Sequence, residues 1–368
     1  LAMSSAASDV YKRQTYIPEA WLVNFLEKGD NSPSFVAHFM AQSPIGKRFL
    51  HENPRLNKYI FSKRVSYDQA PLLLPATLCS LADDEFGLSV LLDNAKHLLS
   101  FDKADLNQVV ELLDMRNSHF FAELSYSDLG LHIMQRYPQL LEKLTPDSLN
   151  NPIDLTQTLK APMLWYLIDE AIDLWVERPQ ESLRPVVFTK NFVDTISEQG
   201  LLFTPDSAPY QGISALSLLM IRLHKNPECY AQLLRYLFST MPSLLSTINE
   251  NTLNDAISSS PDTSVLWHLS LSSEGISLLV DTSLIHAITA EGLLRPRAGT
   301  SNRTALYNFI ANKRLDLFTQ YPKLWSFLDA SSMNLLVFDK SLQSHSTAFC
   351  HFCDNSKLLS QLTTFPSC

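Results

Sequence analysis

Large apolar side chains recur along this chain at a near-constant interval. Three C-terminal segments, residues 263–275, 303–315 and 346–358, align by inspection. Each carries Ser or Thr, one residue, a large apolar anchor, and a second apolar residue three further on. Carried backwards, the template places anchors at Val36, Leu78, Phe121, Leu164, Leu216, Leu266, Leu306 and Phe349. The intervals are 42, 43, 43, 52, 50, 40 and 43 residues, from those positions. The partner three residues on is Phe39, Leu81, Leu124, Leu167, Leu219, Leu269, Phe309 and Phe352, apolar in every unit. A spacing of i, i+3 lies on one face of a helix, so each anchor predicts a short amphipathic helix.

Two further landmarks keep this register. Gly87, Gly130 and Gly275 follow their anchors by nine residues and Gly46 by ten, so four of nine glycines mark one slot. A glycine there suits a tight turn that ends the first helix, where positive φ is needed. The slot holds Asp173, Lys225, Leu315 and Leu358 elsewhere. Next, Asn53-Pro-Arg-Leu56, Tyr137-Pro-Gln-Leu140, Met241-Pro-Ser-Leu244 and Tyr321-Pro-Lys-Leu324 share x-Pro-x-Leu. Proline breaks the preceding helix and is tolerated in the first turn of the next. Leu140/Leu141/Leu144, Leu244/Leu245/Ile248 and Leu324/Trp325/Leu328 then supply an apolar stripe. A polar linker with another leucine follows, at Leu106, Leu149, Leu253 and Leu335. Ser264, Thr304 and Thr347 stand where N-caps of the first helix belong.

No such unit buries its apolar face alone, so neighbours must stack. The expectation is an all-α chain, an α-solenoid of about eight helical repeats with a period near 42 residues covering 15–368. The long intervals predict insertions within 164–266, one holding Arg184-Pro-Val-Val-Phe188 as a short extended segment. The last unit reads as a half-repeat cap or a truncation. Residues 1–14 (Met3-Ser-Ser-Ala-Ala-Ser-Asp-Val-Tyr-Lys-Arg-Gln14 within them) resemble a translated sequencing-adapter leader and are set aside from fold reasoning. Without Lys12, Arg13 and Asp9 the charge is 27 − 37 = −10, against −9 for the whole chain.

Composition fits this pattern. The 62 leucines make up near 17% of 368 residues, and charged residues only 18%. The net charge disfavours a general nucleic-acid binder, because phosphate contacts need a basic surface. No apolar run approaches the ~20 residues that span a bilayer. Five cysteines (Cys79, Cys229, Cys350, Cys353 and Cys368) do not make a disulfide framework in a chain this long and suit a reducing compartment.

Thr304-Ala-Leu-Tyr-Asn-Phe-Ile-Ala-Asn-Lys-Arg-Leu-Asp-Leu317 resembles the first and second helices of an ankyrin repeat, whose pattern begins Thr-Pro-Leu-His-x-Ala. The period is longer than the ankyrin value of about 33 residues, and the helix count is closer to HEAT or armadillo repeats. Leu/Ser-rich divergent ankyrin-like arrays of this kind are similar to those in effectors of intracellular bacteria. The resemblance implies protein binding and no catalytic residues. It also implies a cytoplasmic location, or secretion into a host cell's cytosol for an effector.

Equivalent slots of stacked repeats form a stripe along one face. The residue two past the anchor is His38, Tyr166, His268, Asn308 and His351 in five units, and Trp267 and Tyr307 precede two of them. These seven are the candidate binding residues for a protein partner; the alternatives are a solvated polar slot and inter-repeat packing. Cys350-His-Phe-Cys353 with His345 has half a zinc site's spacing, but the cysteines replace ordinary helix-packing positions and no second Cys-x-x-Cys completes a tetrahedron. Asp169, Asp173 and Glu177, beside Glu170, fall on one helix face. They read as a solvated face, or as an acid–base pair gathered with His224. Lys47, Arg48, Arg55, Lys58, Lys63 and Arg64 form a basic stretch opposed by Glu52 alone, which reads as a charged outer face or a contact for anionic lipid headgroups. No P-loop, GxGxxG, nucleophile elbow or HExxH occurs, and no cofactor or metal is expected. The functional expectation is a non-enzymatic protein-interaction scaffold. The alternative is a targeting module for a catalytic domain upstream.

Overall fold

The structure, a computed structural model, describes residues 33–61, 73–112, 116–125, 127–154, 160–168, 190–206, 212–257, 263–297, 304–312, 314 and 316–328. The described residues are mostly helical, with four short strands. The chain divides into two compact units, ending and beginning at Ser197 and Glu198.

In the first unit, helices come in pairs. The first members are Pro33–Gln42, Leu73–Ala82 and Phe120–Ser125; the second members are Pro44–Glu52, Glu85–Asp93 and Asp128–Arg136. First members pack on first members in chain order, and second on second. Each second helix opens on a polar cap. The side chains of Ser43, Asp84 and Ser127 accept from the backbone N–H of Gly46, Gly87 and Gly130, satisfying a donor that the helix leaves free. The anchors Leu78, Phe121 and Leu164 and their partners Leu81, Leu124 and Leu167 are buried.

The glycine slot corrects the expectation of a positive-φ turn. These glycines are the third residue of the second helix, and among the described residues the one glycine at positive φ is Gly212. Space demands them instead. A Cβ on Gly46, Gly87, Gly130 or Gly275 would lie 2.1 Å from the carbonyl oxygen of Met40, Leu81, Leu124 or Leu269, six residues earlier. At these four positions the approach is so close that only a residue without Cβ fits against the first helix's backbone.

The same distance corrects the first anchor. Gly46 meets Met40, so the slot equivalent to Leu78 is Ala37, not Val36. Phe39, expected as a buried partner, is 66% exposed.

After each second helix the chain turns. Asn53, Tyr137, Met241 and Tyr321 share one backbone conformation (φ from −122° to −129°, ψ from 68° to 81°), each before its proline. Proline's ring forbids α conformation to the residue before it, so the helix stops there. Leu56, Leu140, Leu244 and Leu324 drop into the core from the new turn.

A fourth, very short helix closes each repeat: Lys103–Asn107, Pro146–Asn150, Glu198–Leu202, Glu250–Asn254 and Ala290–Leu294. Its fourth residue is the fully buried Leu106, Leu149, Leu201, Leu253 or Leu293. Its fifth is asparagine in three cases. Asn107 Nδ2 donates to Lys143 O at 2.7 Å and its Oδ1 accepts from Thr145 N at 3.0 Å. Asn150 does the same with Thr195 O and Ser197 N, both at 2.8 Å. Each asparagine thus ties one repeat to the backbone of the next.

Strands follow, where the sequence predicted a polar linker. β1 (Val110–Glu111) pairs antiparallel with β2 (Asn117–Ser118), and β3 (Pro152–Asp154) with β4 (Lys160–Pro162). Val110, Ile153 and Ile257 lie three residues past Asn107, Asn150 and Asn254, and all three are buried. Ile257 N donates to Thr263 O at 2.9 Å, the same closure in the second unit. These hairpins deliver the N-cap of the next first helix.

In the second unit, Ala215–Arg222, Val265–Ser270 and Ala305–Ala311 are the first helices, packed in chain order, and Pro227–Thr240 packs on Ser273–Asp281. Ser214, Ser264 and Thr304 cap the first helices. The long interval after Leu216 is no loop insertion. Cap-to-cap, the first helix spans 226 − 214 = 12 residues against 272 − 264 = 8, and the second 241 − 226 = 15 against 282 − 272 = 10. Each helix has gained about one turn of 3.6 residues, which keeps its buried face in register. The capped slot is therefore Cys229 rather than Lys225. Arg184-Pro-Val-Val-Phe188 and the anchor Phe349 lie outside the described residues.

Candidate functional site

The first helices and the hairpins before them place the slots one and two past each anchor. Trp267 and Asn308 are buried, while Tyr166, His268 and Tyr307 are half-buried. The side chain of His38 and the whole of His351 lie outside the described residues. Asn308 Nδ2 donates to Ser270 Oγ at 2.8 Å, and Asn312 Nδ2 donates to Ser270 O at 3.1 Å. This slot therefore reaches back to the preceding first helix.

Around His268 the slot becomes a cluster. His224 Nδ1 donates to Ile221 O at 2.7 Å, because a carbonyl oxygen only accepts. His268 Nδ1 lies 3.4 Å from that nitrogen, and the two rings are 5.1 Å apart. Trp267 meets His268 edge-on at 5.0 Å, and the Arg297 guanidinium lies 5.2 Å from the Trp267 ring centre. Burial, then the charges of His224, Arg222 and Arg297, push His268 down to about 3. The imidazole is neutral at pH 7 and too weak a base for proton transfer there. The cluster is a set of mutually tilted rings, with the exposed Arg297 guanidinium beside the buried Trp267.

In the first unit the same slot holds Glu123, in a network that spans three consecutive repeats. Lys47 Nζ lies 2.8 Å from Asp84 and 3.7 Å from Asp83. Arg116 lies 3.5 Å from Asp83 and 3.3 Å from Glu123. Lys47 and Glu123 are buried. Burial and the nearby charge of Asp83 raise Glu123, opposed by the Arg116 guanidinium at 3.3 Å. Sequence reasoning missed this network. Its signal was a glutamate in a slot on a buried face, which requires a nearby cation.

Other candidates separate. Of the basic stretch, Lys47 turns inward, Arg48 pairs with Glu52 at 2.9 Å, and Arg55 and Lys58 are exposed, while Lys63 and Arg64 lie outside the described residues. Asp169, Glu170, Asp173, Glu177, His345, Cys350 and Cys353 also lie outside them. Burial raises the thiols of Cys79 and Cys229, which makes both poor nucleophiles. Among the described residues no group of three His, Cys, Asp or Glu is arranged to hold a metal ion, and no helix is long and apolar enough to cross a membrane. Comparison of the chain with known protein families, with curated proteins and with solved structures finds no match.

Proposed function

We propose that the chain is a helical-repeat scaffold of the α-solenoid kind that binds a protein partner along its stacked faces. One observation carries this reading. The same caps, buried leucines, asparagine bridges and hairpin closures recur at fixed offsets, while the side chains displayed between them differ from repeat to repeat. Repetition of this kind stabilises the backbone locally and frees the intervening positions to vary. The ankyrin-like resemblance of residues 304–317 agrees with the hairpins, which an array of plain helix pairs would lack. In the second unit the half-buried His268 and Tyr307 and the buried Trp267 and Asn308 are the proposed binding stripe in the slots past the anchors. In the first unit, taken by itself, the half-buried Tyr166 holds such a slot and His38 falls one residue past the corrected anchor Ala37, while His351 lies outside the described residues. The aromatic members would be the anchors of an interface.

Affinity capture with the chain as bait, against a Tyr166→Ala/Tyr307→Ala/Arg297→Ala variant, tests the proposal. A partner retained by the parent and lost by the variant supports the stripe. A partner held equally by both moves the interface elsewhere, and no partner in any plausible native or host lysate overturns the scaffold reading.

A further inference from the structure

The second helices of the first unit break a preference of their own position. Their second residues are Ile45, Phe86 and Leu129. In the second unit the equivalent residues are Glu228 and Glu274. A carboxylate is what the positive end of a helix dipole favours there. The slot faces outward, since the glycine after it is the residue turned onto the first helix.

The three apolar residues consequently meet solvent. Ile45 is 50% exposed and Phe86 42%, two of the five exposed large apolar side chains among the described residues, and Leu129 is half-buried. The helices that carry them pack side by side in chain order. Lys47, two residues past Ile45, bonds Asp84, two residues before Phe86, so these opening turns are joined. An apolar row repeated at one register of neighbouring helices is a different matter from scattered surface leucines, and marks an interaction site.

The rim of the row is acidic. Glu85 and Asp128 are exposed beside it, and Asp83, also exposed, is shared with Lys47 at 3.7 Å and Arg116 at 3.5 Å. Of the exposed arginines on the same helices, Arg48 is engaged by Glu52 at 2.9 Å, and Arg136 ends the third helix, 5.8 Å from the Tyr137 ring centre and away from the opening turns. Lys47 is buried and cannot meet a partner.

We propose that Ile45, Phe86 and Leu129, rimmed by Asp83, Glu85 and Asp128, form a docking row for an amphipathic segment of a partner protein whose apolar face is flanked by lysine or arginine. The proposal rests on the scaffold reading and names a second face for it. Apolar contact supplies the affinity, and the carboxylates reject acidic segments and orient basic ones.

The test uses the full chain and a fluorescein-labelled Leu/Lys peptide patterned as an amphipathic helix, followed by anisotropy. Controls are the same peptide with Glu for Lys and a scrambled Leu/Lys peptide. The parent is expected to bind the patterned Leu/Lys peptide at least about tenfold more tightly than either control or than the Ile45→Ser/Phe86→Ser/Leu129→Ser variant does. Glu85→Gln/Asp128→Asn is expected to weaken binding and flatten its salt dependence. Circular dichroism and the melting temperature check that the exposed substitutions leave the fold intact. Equal binding by parent and triple variant, preference for the Glu peptide, or no binding by the parent overturns the row. A partner captured equally by parent and triple variant overturns the row as well, while leaving the scaffold reading in place.

Discussion

Asn254 holds two repeats of the second unit together with one side chain. Its Nδ2 donates to Ala287 O at 2.8 Å, and its Oδ1 accepts from Thr289 N at 3.0 Å. Nδ2 also donates to Glu250 O at 2.7 Å, within its own helix. Gly292 lies beneath, where a Cβ would stand 2.1 Å from Asn254 Oδ1. Neither hydrophobic periodicity nor charge explains an asparagine here. A buried backbone acceptor and donor facing one amide do.

Replacing Asn254 with Ala strands the Ala287 carbonyl and the Thr289 N–H in the interior. Each orphaned group costs about 1–3 kcal/mol. Asn254→Ala is expected to lower unfolding stability by roughly 2–6 kcal/mol by this sum, read as a shift in the urea midpoint. Asn254→Asp keeps the acceptor and loses the donor, so it should fall between. An Asn254→Ala protein as stable as the parent would show that solvent replaces the bridge.

Gly87→Ala separates two accounts of the glycine slot. On helix propensity alone, alanine at a helical position gains about 1 kcal/mol over glycine. With Leu81 O 2.1 Å from the new Cβ, the helices must move apart. Displacements forced on a packed core cost about 1–3 kcal/mol, so the net sign is destabilising. Gly212 is the contrast. It has φ of +80° and open space around it. Alanine there meets only the left-handed backbone penalty, about 1–2 kcal/mol. Thermal melts of both variants, and of Gly87→Ala/Leu81→Ala, distinguish clash from conformation: relief at Leu81 cannot rescue a clash with backbone oxygen, so the double variant should be worse than either single one.

Much of this repeat was legible because its signals are steric and local. Proline restricts its predecessor wherever it occurs, so Tyr137 and Met241 end their helices as x-Pro-x-Leu implied. Ser264 and Thr304 cap helices because a free N–H three residues on needs an acceptor, here Trp267 N at 3.2 Å and Tyr307 N at 3.1 Å. The strands were not legible. Two or three residues leave no alternation to read, and Val110–Glu111 is a strand only because Asn117–Ser118 returns beside it. Of the candidate stripe, residue types and register were readable, but not that Asn308 would spend its amide on Ser270. The Arg116–Glu123 and Lys47–Asp84 pairs were invisible for the same reason: their partners meet through the fold.

Acid should loosen the molecule through two histidines. Burial lowers His119 to about 4 and, with neighbouring cations, His268 to about 3, from 6.5. A histidine depressed in the folded state binds its proton more readily when unfolded. Stability is therefore unaffected above pH 6.5 and falls as pH drops below it, by up to about 1.4 kcal/mol per pH unit for each histidine. The loss levels off near each folded value. Glu123, raised by burial, acts oppositely: its folded form takes up a proton first, so lowering the pH through its raised range favours folding. His119 is also a cap, its Nδ1 accepting from Ala122 N at 3.3 Å and its Nε2 donating to Ser148 O at 3.0 Å. His119→Asn keeps a capping oxygen and removes the titration. Urea midpoints between pH 4 and 7 should then fall by one proton's slope less than in the parent. An unchanged slope would assign the acid sensitivity elsewhere.

Phe39 and Leu81 hold the same place in the apolar pattern, three residues past Val36 and Leu78, and opposite places in the fold. Phe39 is 66% exposed and Leu81 is fully buried. Gly46 against Met40 and Gly87 against Leu81 set the true register, which puts Met40 in Leu81's position. Leu81→Ala should remove core packing and cost about 2–5 kcal/mol. Phe39→Ser should change stability within about 0.5 kcal/mol, as surface substitutions do. Met40→Ala should cost more than Phe39→Ser, despite being the smaller loss of apolar volume. Chemical denaturation of the three variants decides the matter. A large loss on Phe39→Ser, with Met40→Ala neutral, would return the first anchor to Val36 and place the glycine of that repeat one residue late.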